Sequence, residues 1–216
     1  MNSEVLLRSD QIVKHFGLTH ALNGISVEVK RGEVVGLIGE NGSGKSTFSS
    51  IVSGIYPPTS GTLELKGQPY KPLHAMDAQK HGVSMITQEM GTLPGIRVAD
   101  NIFLGREELF ARKGIVNRRE MYQAAREALG RIGITDIDPE APIARYSLED
   151  RKLIEVVRGI YTEPDVFIVD ETTTALSQKG RDIIYRLIKK FQKEDKAVIF
   201  ISHDLEEIME VCNKLI

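Results

Sequence analysis

The residues Gly39-Glu40-Asn41-Gly42-Ser43-Gly44-Lys45-Ser46-Thr47 place glycines, a cation and hydroxyls at the spacing GxxxxGK[ST]. The apolar run Val34-Val35-Gly36-Leu37-Ile38 before them reads as a short buried strand. The run Phe48-Ser49-Ser50-Ile51-Val52 after them reads as the start of a helix. In that context the glycines let the backbone curl, so that successive N–H groups point at phosphate oxygens. The helix N-terminus adds partial positive charge at the same place. Lys45 would reach the terminal phosphates, Ser46 would offer its hydroxyl to Mg²⁺, and Thr47 would support the loop. A plain glycine-rich turn capping a helix is the bland alternative.

The acidic pair Asp170-Glu171 argues against that alternative. It ends the apolar run Val166-Phe167-Ile168-Val169, which suits a strand buried on both faces. Asp170 would hold Mg²⁺, directly or through water, opposite Ser46, and Glu171 would orient or deprotonate an attacking water. Phosphoryl transfer asks a protein mainly for positioning and charge neutralisation, so these groups form a sufficient set. Gln88 follows the strand-like Val83–Thr87, and His203 follows the strand-like Ala197–Ile201. Strand C-termini surround the ligand in a parallel α/β sheet, which would bring both residues to one site. Gln88 can ligate Mg²⁺ or a water, and His203 can contact the γ-phosphate or the attacking water. The remaining histidines, His15, His20, His74 and His81, have no ligand spacing. Phe16 either stacks on a nucleobase, worth about 1–3 kcal/mol by analogy with single-strand binders, or belongs to the core.

The elements that must position these groups follow from periodicity. Leu6-Leu7 with Ile12-Val13, then Ala21–Val29, read as strands, with Lys30–Glu33 as a hairpin-like turn. Thr62–Lys66 is a further strand and Ala75–Lys80 a short helix. From Gly91 the texture becomes helical, at Val98–Leu104, Arg118–Ile132 and Leu148–Ile160. Residues 1–90 and 161–216 are therefore read as the core with a β-rich N-terminal part, and 91–160 as a helical subdomain. The expected fold class is α/β. The chain stops as a new strand begins at Lys214-Leu215-Ile216, as expected of a sequence truncated at its C-terminus.

Composition sets the bounds. A chain of 216 residues can bury one sizeable core. Its net charge of −2 gives no reason to expect a nucleic-acid partner. No apolar run is long enough to cross a bilayer. Glu4, Arg8 and Asp10 exclude a signal peptide at the N-terminus. The single cysteine, Cys212, forms no internal disulfide, which fits a reducing cytosol.

Taken together, the chain resembles the nucleotide-binding subunit of an ABC transporter over essentially its whole length. The resemblance rests on Gly39–Thr47, on Gln88 as the Q-loop glutamine, on Asp170-Glu171 as the Walker B pair and on His203 as the switch histidine. It implies a P-loop ATPase core, ATP and Mg²⁺ as ligands, and Phe16 as the aromatic on adenine. It also implies a second ABC ATPase domain and membrane permease subunits as partners. The implied place is peripheral, on the cytoplasmic face of the membrane. The segment Val98–Glu107 looks like the monosaccharide-importer branch (ribose, galactose and xylose type), where two such domains usually share one polypeptide. The implied activity is ATP hydrolysis that energises sugar import.

One segment departs from the family pattern. The signature Leu-Ser-Gly-Gly-Gln should fall at Tyr146-Ser147-Leu148-Glu149-Asp150, where only Ser147 agrees. In the family this segment binds the γ-phosphate held by the opposite domain. A carboxylate about 5 Å from a phosphate charge costs on the order of 3 kcal/mol at an effective dielectric near 20. The helix dipole returns only about 0.3–1 kcal/mol. Repulsion wins unless both side chains turn away. Ser147 with Asp150 also reads as a helix-capping pattern, so the helix can survive without the phosphate role. Ser177 stands where the family has Asp. Two rival functions follow: an ABC-type ATPase not tied to transport, and a nucleotide-binding module with little turnover.

Overall fold

The computed structural model describes residues 4–216. Strands β1 (Val5–Phe16) and β2 (Thr19–Lys30) form an antiparallel hairpin across Gly17-Leu18. Leu6-Leu7 and Ile12-Val13 lie on one strand, but not on one simple alternation. The pairing shifts between Ser9 and Ile12, where Gln11 adopts φ +48°. That bulge puts Leu7, Ser9 and Ile12 inward, where strict alternation would have buried Gln11. Gly61 faces the bulge, and a Cβ there would lie 2.3 Å from the Gln11 carbonyl oxygen.

Lys30–Glu33 is not a hairpin turn. It carries the chain out of this sheet into β3 (Val34–Leu37), which belongs to the second sheet. Helix α1 (Lys45–Val52) follows. The chain then returns through β4 (Ser60–Leu65) and β5 (Gln68–Pro69), completing an antiparallel sheet ordered β2-β1-β4-β5. Helix α2 (Ala75–Lys80) leads to β6 (Val83–Ile86).

The segment from Gly91 carries α3 (Val98–Ile102), α4 (Arg118–Gly130) and α5 (Leu148–Ile160). It also carries a hairpin that periodicity did not reveal, β7 (Ala111–Arg112) with β8 (Ile115–Val116). The turn between them uses Lys113 at φ +50° and Gly114 at φ +80°. Helix α3 ends earlier than expected because Phe103 leaves it to enter the core. Its ring is fully buried, edge-on to Phe110 at 4.6 Å and to Tyr161 at 4.8 Å. Phe103→Ala is expected to cost about 3–5 kcal/mol of stability, read as a shift in the urea midpoint.

The chain closes with β9 (Val166–Asp170), α6 (Gln178–Lys193), β10 (Ala197–Ile201), α7 (Leu205–Val211) and β11 (Lys214–Leu215). The second sheet is wholly parallel, in the order β11-β3-β10-β9-β6. Its central strands are buried along their whole length because both faces are covered. Phe167, Val169, Val198 and Phe200 pack with the helical layer that includes Ile154 and Ile184. The intervening Val166, Ile168, Ile199 and Ile201 pack with Phe48, Ile51 and the antiparallel sheet. Strand order therefore places the C-terminal ends of β3, β10, β9 and β6 side by side.

Candidate active site

The loop between β3 and α1 curls over the end of its strand. Gly44 is the N-cap of α1 at φ +97°, and no side chain caps the helix. The first N–H groups of α1 are thus free to meet a ligand. Gly44 is required for space as well: a Cβ would lie 2.8 Å from the Ala21 carbonyl oxygen on β2. Lys45 folds across the loop, its Nζ donating to the carbonyls of Gly39 (2.7 Å) and Glu40 (2.9 Å). That fixes an ammonium at the centre of the curl.

The next strand end supplies the carboxylates. Ser46 Oγ donates to Asp170 Oδ1 at 3.4 Å, and Asp170 is buried. Burial pushes the Asp170 carboxyl above the usual carboxylate range. The Ser46 hydroxyl opposes the shift, Glu171 adds to it, and Lys45 and His203 pull downward. Glu171 sits in the left-handed region at φ +47°, which is uncommon for a non-glycine residue and costs about 1–3 kcal/mol. Its backbone N–H donates to the Ile201 carbonyl at 2.9 Å, which holds it there. The Glu171 Oε2 then meets His203 Nε2 at 3.0 Å. Strand β9 thus delivers the carboxylates, and β10 delivers the histidine.

A cavity of about 530 Å³ joins these parts, within the range of small-ligand sites. Lys45, Ser46, Gln88, Glu171 and His203 all line it. Asn41, Gly42, Gly44 and Thr47 complete the loop side. Gly39, Glu40 and Ser43 belong to the loop but not to the lining, and Asp170 lies behind Ser46. Phe16 is also outside the lining. It is 42% exposed at the end of β1, edge-on to Tyr56 at 5.2 Å, with Lys14 Nζ 5.0 Å from its ring.

Sequence reasoning missed one wall. Thr19, His20 and Ala21 at the start of β2 line the cavity beside the loop, against Gly44. The available signal was the glycine turn after Phe16, which folds β2 back along β1 and pairs His20 with His15. A second cavity, of about 440 Å³, lies between α4, α5 and α6 and contains none of these residues.

Both carboxylates of the segment Tyr146–Asp150 are hydrogen-bonded within the chain. Asp150 accepts from the Ser147 hydroxyl at 2.7 Å and from the Ser147 N–H at 3.2 Å, in a reciprocal capping box. Glu149 Oε1 accepts from the Ser177 hydroxyl at 2.6 Å, while Ser177 caps α6. The two departures from the expected pattern, Glu149 and Ser177, therefore touch each other. An Asp at 177 would keep the helix cap and set a second carboxylate against Glu149. Ser177→Asp is expected to lose about 1 kcal/mol that Glu149→Gln restores, measured by a double-mutant cycle of chemical unfolding.

A family model described as ABC transporter matches residues 22–174, a stretch that holds the loop, Gln88, Asp170 and Glu171. The chain belongs to the ABC transporter family. Two sugar-import ATP-binding proteins are similar to it over nearly its full length. The ribose import ATP-binding protein RbsA of Geobacillus kaustophilus is 38% identical over 94% of this chain and 41% of its own length. The arabinose import ATP-binding protein AraG of Chromohalobacter salexigens is 36% identical over 98% of this chain and 42% of its own. The chain thus spans about two fifths of the length of these relatives. Among solved structures, a nucleotide-free ATP-binding cassette from an ABC transporter superposes with a TM-score of 0.84 at 24% identity, covering 98% of this chain and 87% of that one. The cbiO1 protein of Clostridium perfringens, part of the ABC transporter complex cbiONQ, gives 0.76 at 26% identity over 98% and 83%. The fold is that of the family's ATPase cassettes, α/β with a parallel sheet at its centre.

Proposed function

We propose that the chain is an ATP-binding and hydrolysing unit that energises import of a monosaccharide through a membrane permease. The observation that carries this is the convergence of Lys45, Ser46, Gln88, Glu171 and His203, distant in sequence, on one cavity. The names of the relatives, import proteins for ribose and arabinose, support the sugar and the direction.

In this reading the loop N–H groups and Lys45 hold the phosphates of ATP. Ser46, Asp170 and Gln88 hold Mg²⁺. A carboxylate held beside a hydroxyl supplies the oxygen donors that a hard cation prefers. When bound, the cation neutralises charge on the phosphates. Glu171 orients the attacking water or takes its proton, and His203 fixes the Glu171 carboxylate and faces the terminal phosphate. Phe16 stacks on the adenine. The segment 91–160, as a helical subdomain, meets the permease at the cytoplasmic face of the membrane, where the chain sits peripherally. Among the described residues no helix is long and apolar enough to cross a membrane.

A second ABC ATPase domain completes the machine. Because the Ser147 hydroxyl is spent on Asp150, and Leu148 is exposed at the start of α5, the Tyr146–Asp150 segment makes a poor phosphate contact. Two unequal ATP sites follow: this chain's loop, completed by the partner's signature, is competent, and the reciprocal site is impaired. The same observation favours a second reading, ATP binding with little turnover by the chain alone. Phosphate release from ATP by the chain, with and without a second domain that carries an intact signature, separates them. Release that appears with the partner and disappears with a Mg²⁺ chelator supports the proposal. Release indifferent to both contradicts it.

A further inference from the structure

The loop that carries Gln88 is held by a buried cation that lies outside the nucleotide cavity. Lys152, on the second turn of α5, is 1% exposed. Its Nζ donates to the carbonyls of Thr87 at 3.0 Å and Glu89 at 2.8 Å, with Gln88 O further off at 3.4 Å. The remaining partner is Glu155 Oε2 at 2.7 Å, itself buried at 4% exposure. The other Glu155 oxygen accepts from the Gly91 N–H. Arg158 donates twice to the Gly91 carbonyl, at 3.1 and 3.2 Å. One face of α5 thus grips the backbone of residues 87 to 91, while the Gln88 side chain is left exposed to the cavity.

Helix α5 does not need this grip to stay in place. Leu153, Ile154, Val156 and Val157 already anchor it in the core. Replacing a buried ion pair by apolar side chains of similar volume is often neutral or stabilising. An ammonium has three N–H groups, and burial demands an acceptor for each. Here those acceptors are carbonyls of one short loop and the carboxylate that binds the same loop again. The arrangement specifies a loop conformation more than it adds stability.

We infer that Lys152, with Glu155 and Arg158, is a positioning residue that makes the Gln88 loop and helix α5 move as one body. This rests on the reading of the cavity as a Mg-ATP site. A nucleotide contact at Gln88 is then transmitted to the N-terminus of α5, where Ser147 and Glu149 lie. Loss of the grip leaves nucleotide bound and the helix uninformed.

The test is hydrogen exchange of the chain with and without Mg-ATP, alongside ATP affinity and, in the presence of a second domain that carries an intact signature, steady-state phosphate release. In the parent chain Mg-ATP should slow exchange in 39–47, in 86–91 and in 148–160 together. Lys152→Met should keep ATP affinity and KM within about threefold and keep protection of 39–47, lose protection of 148–160, and lower kcat about tenfold. Should that variant fail to fold, Arg158→Met removes only the bonds to the Gly91 carbonyl, leaves the Lys152 and Glu155 contacts in place, and should show the same split to a smaller degree. Protection of 148–160 that persists in the variant that folds, with kcat unchanged, overturns the inference. A parent chain that neither binds Mg-ATP nor protects 39–47 overturns the reading of the site itself, and the inference with it.

Discussion

Glu171→Gln is expected to lower phosphate release by a factor of about 10²–10⁴, the usual worth of a positioned general base, while Mg-ATP affinity changes less than about threefold. The substitution keeps the shape and removes the charge. Glu171 is held in a left-handed conformation by its N–H bond to Ile201, and its carboxylate meets His203 at 3.0 Å. A strained backbone maintained by neighbouring strands is what a residue needs if its side chain must face a reacting atom. Gln cannot take a proton from water, and it presents an amide where His203 met an anion. Binding should survive because the phosphates are held from the other wall, by Lys45 and the loop. Measured turnover within tenfold of the parent would remove Glu171 from the reaction.

Lys45→Ala is expected to weaken Mg-ATP binding about 100-fold, or ~2.7 kcal/mol, near the upper range for hydrogen bonds to charged groups. Thermal stability should barely change. The ammonium bonds only to carbonyls and a hydroxyl of its own loop, which solvent can replace, and it makes no ion pair among the described residues. Calorimetric titration and a melting curve on the same variant separate the two effects. A large fall in melting temperature with affinity retained would make Lys45 a structural residue of the loop.

The loop, the acidic pair and the histidine were legible because each is written contiguously at the end of a buried apolar run. A run such as Val166–Val169 suits a strand covered on both faces, and Asp170 and Glu171 follow at its C-terminal end, where a parallel sheet forms its site. Helix α5 was readable to its termini, since Ser147 and Asp150 form the cap that the spacing implied. Groups joined through space were not readable. Thr19 and His20 reach the cavity only because the β1–β2 hairpin folds back over Gly44. Lys152 and Glu155 stand at i and i+3 on α5, and their spacing alone does not reveal that they are enclosed with the Gln88 loop. The contact of Glu149 with Ser177 joins two positions that looked like separate departures from the family pattern. The β7–β8 hairpin has no Asn-Gly cue, and its turn depends on Lys113 adopting a positive φ.

The most direct test of the central claim, that the cavity recognises a Mg-bound nucleotide through its phosphates, is calorimetric titration of the chain with Mg-ATP, Mg-ADP and adenosine. The account predicts heat and saturable binding with both phosphorylated ligands, none detectable with adenosine, and loss of the ATP signal when Mg²⁺ is chelated. Adenosine binding as tightly as Mg-ATP, or ATP affinity unaffected by chelation, would contradict it.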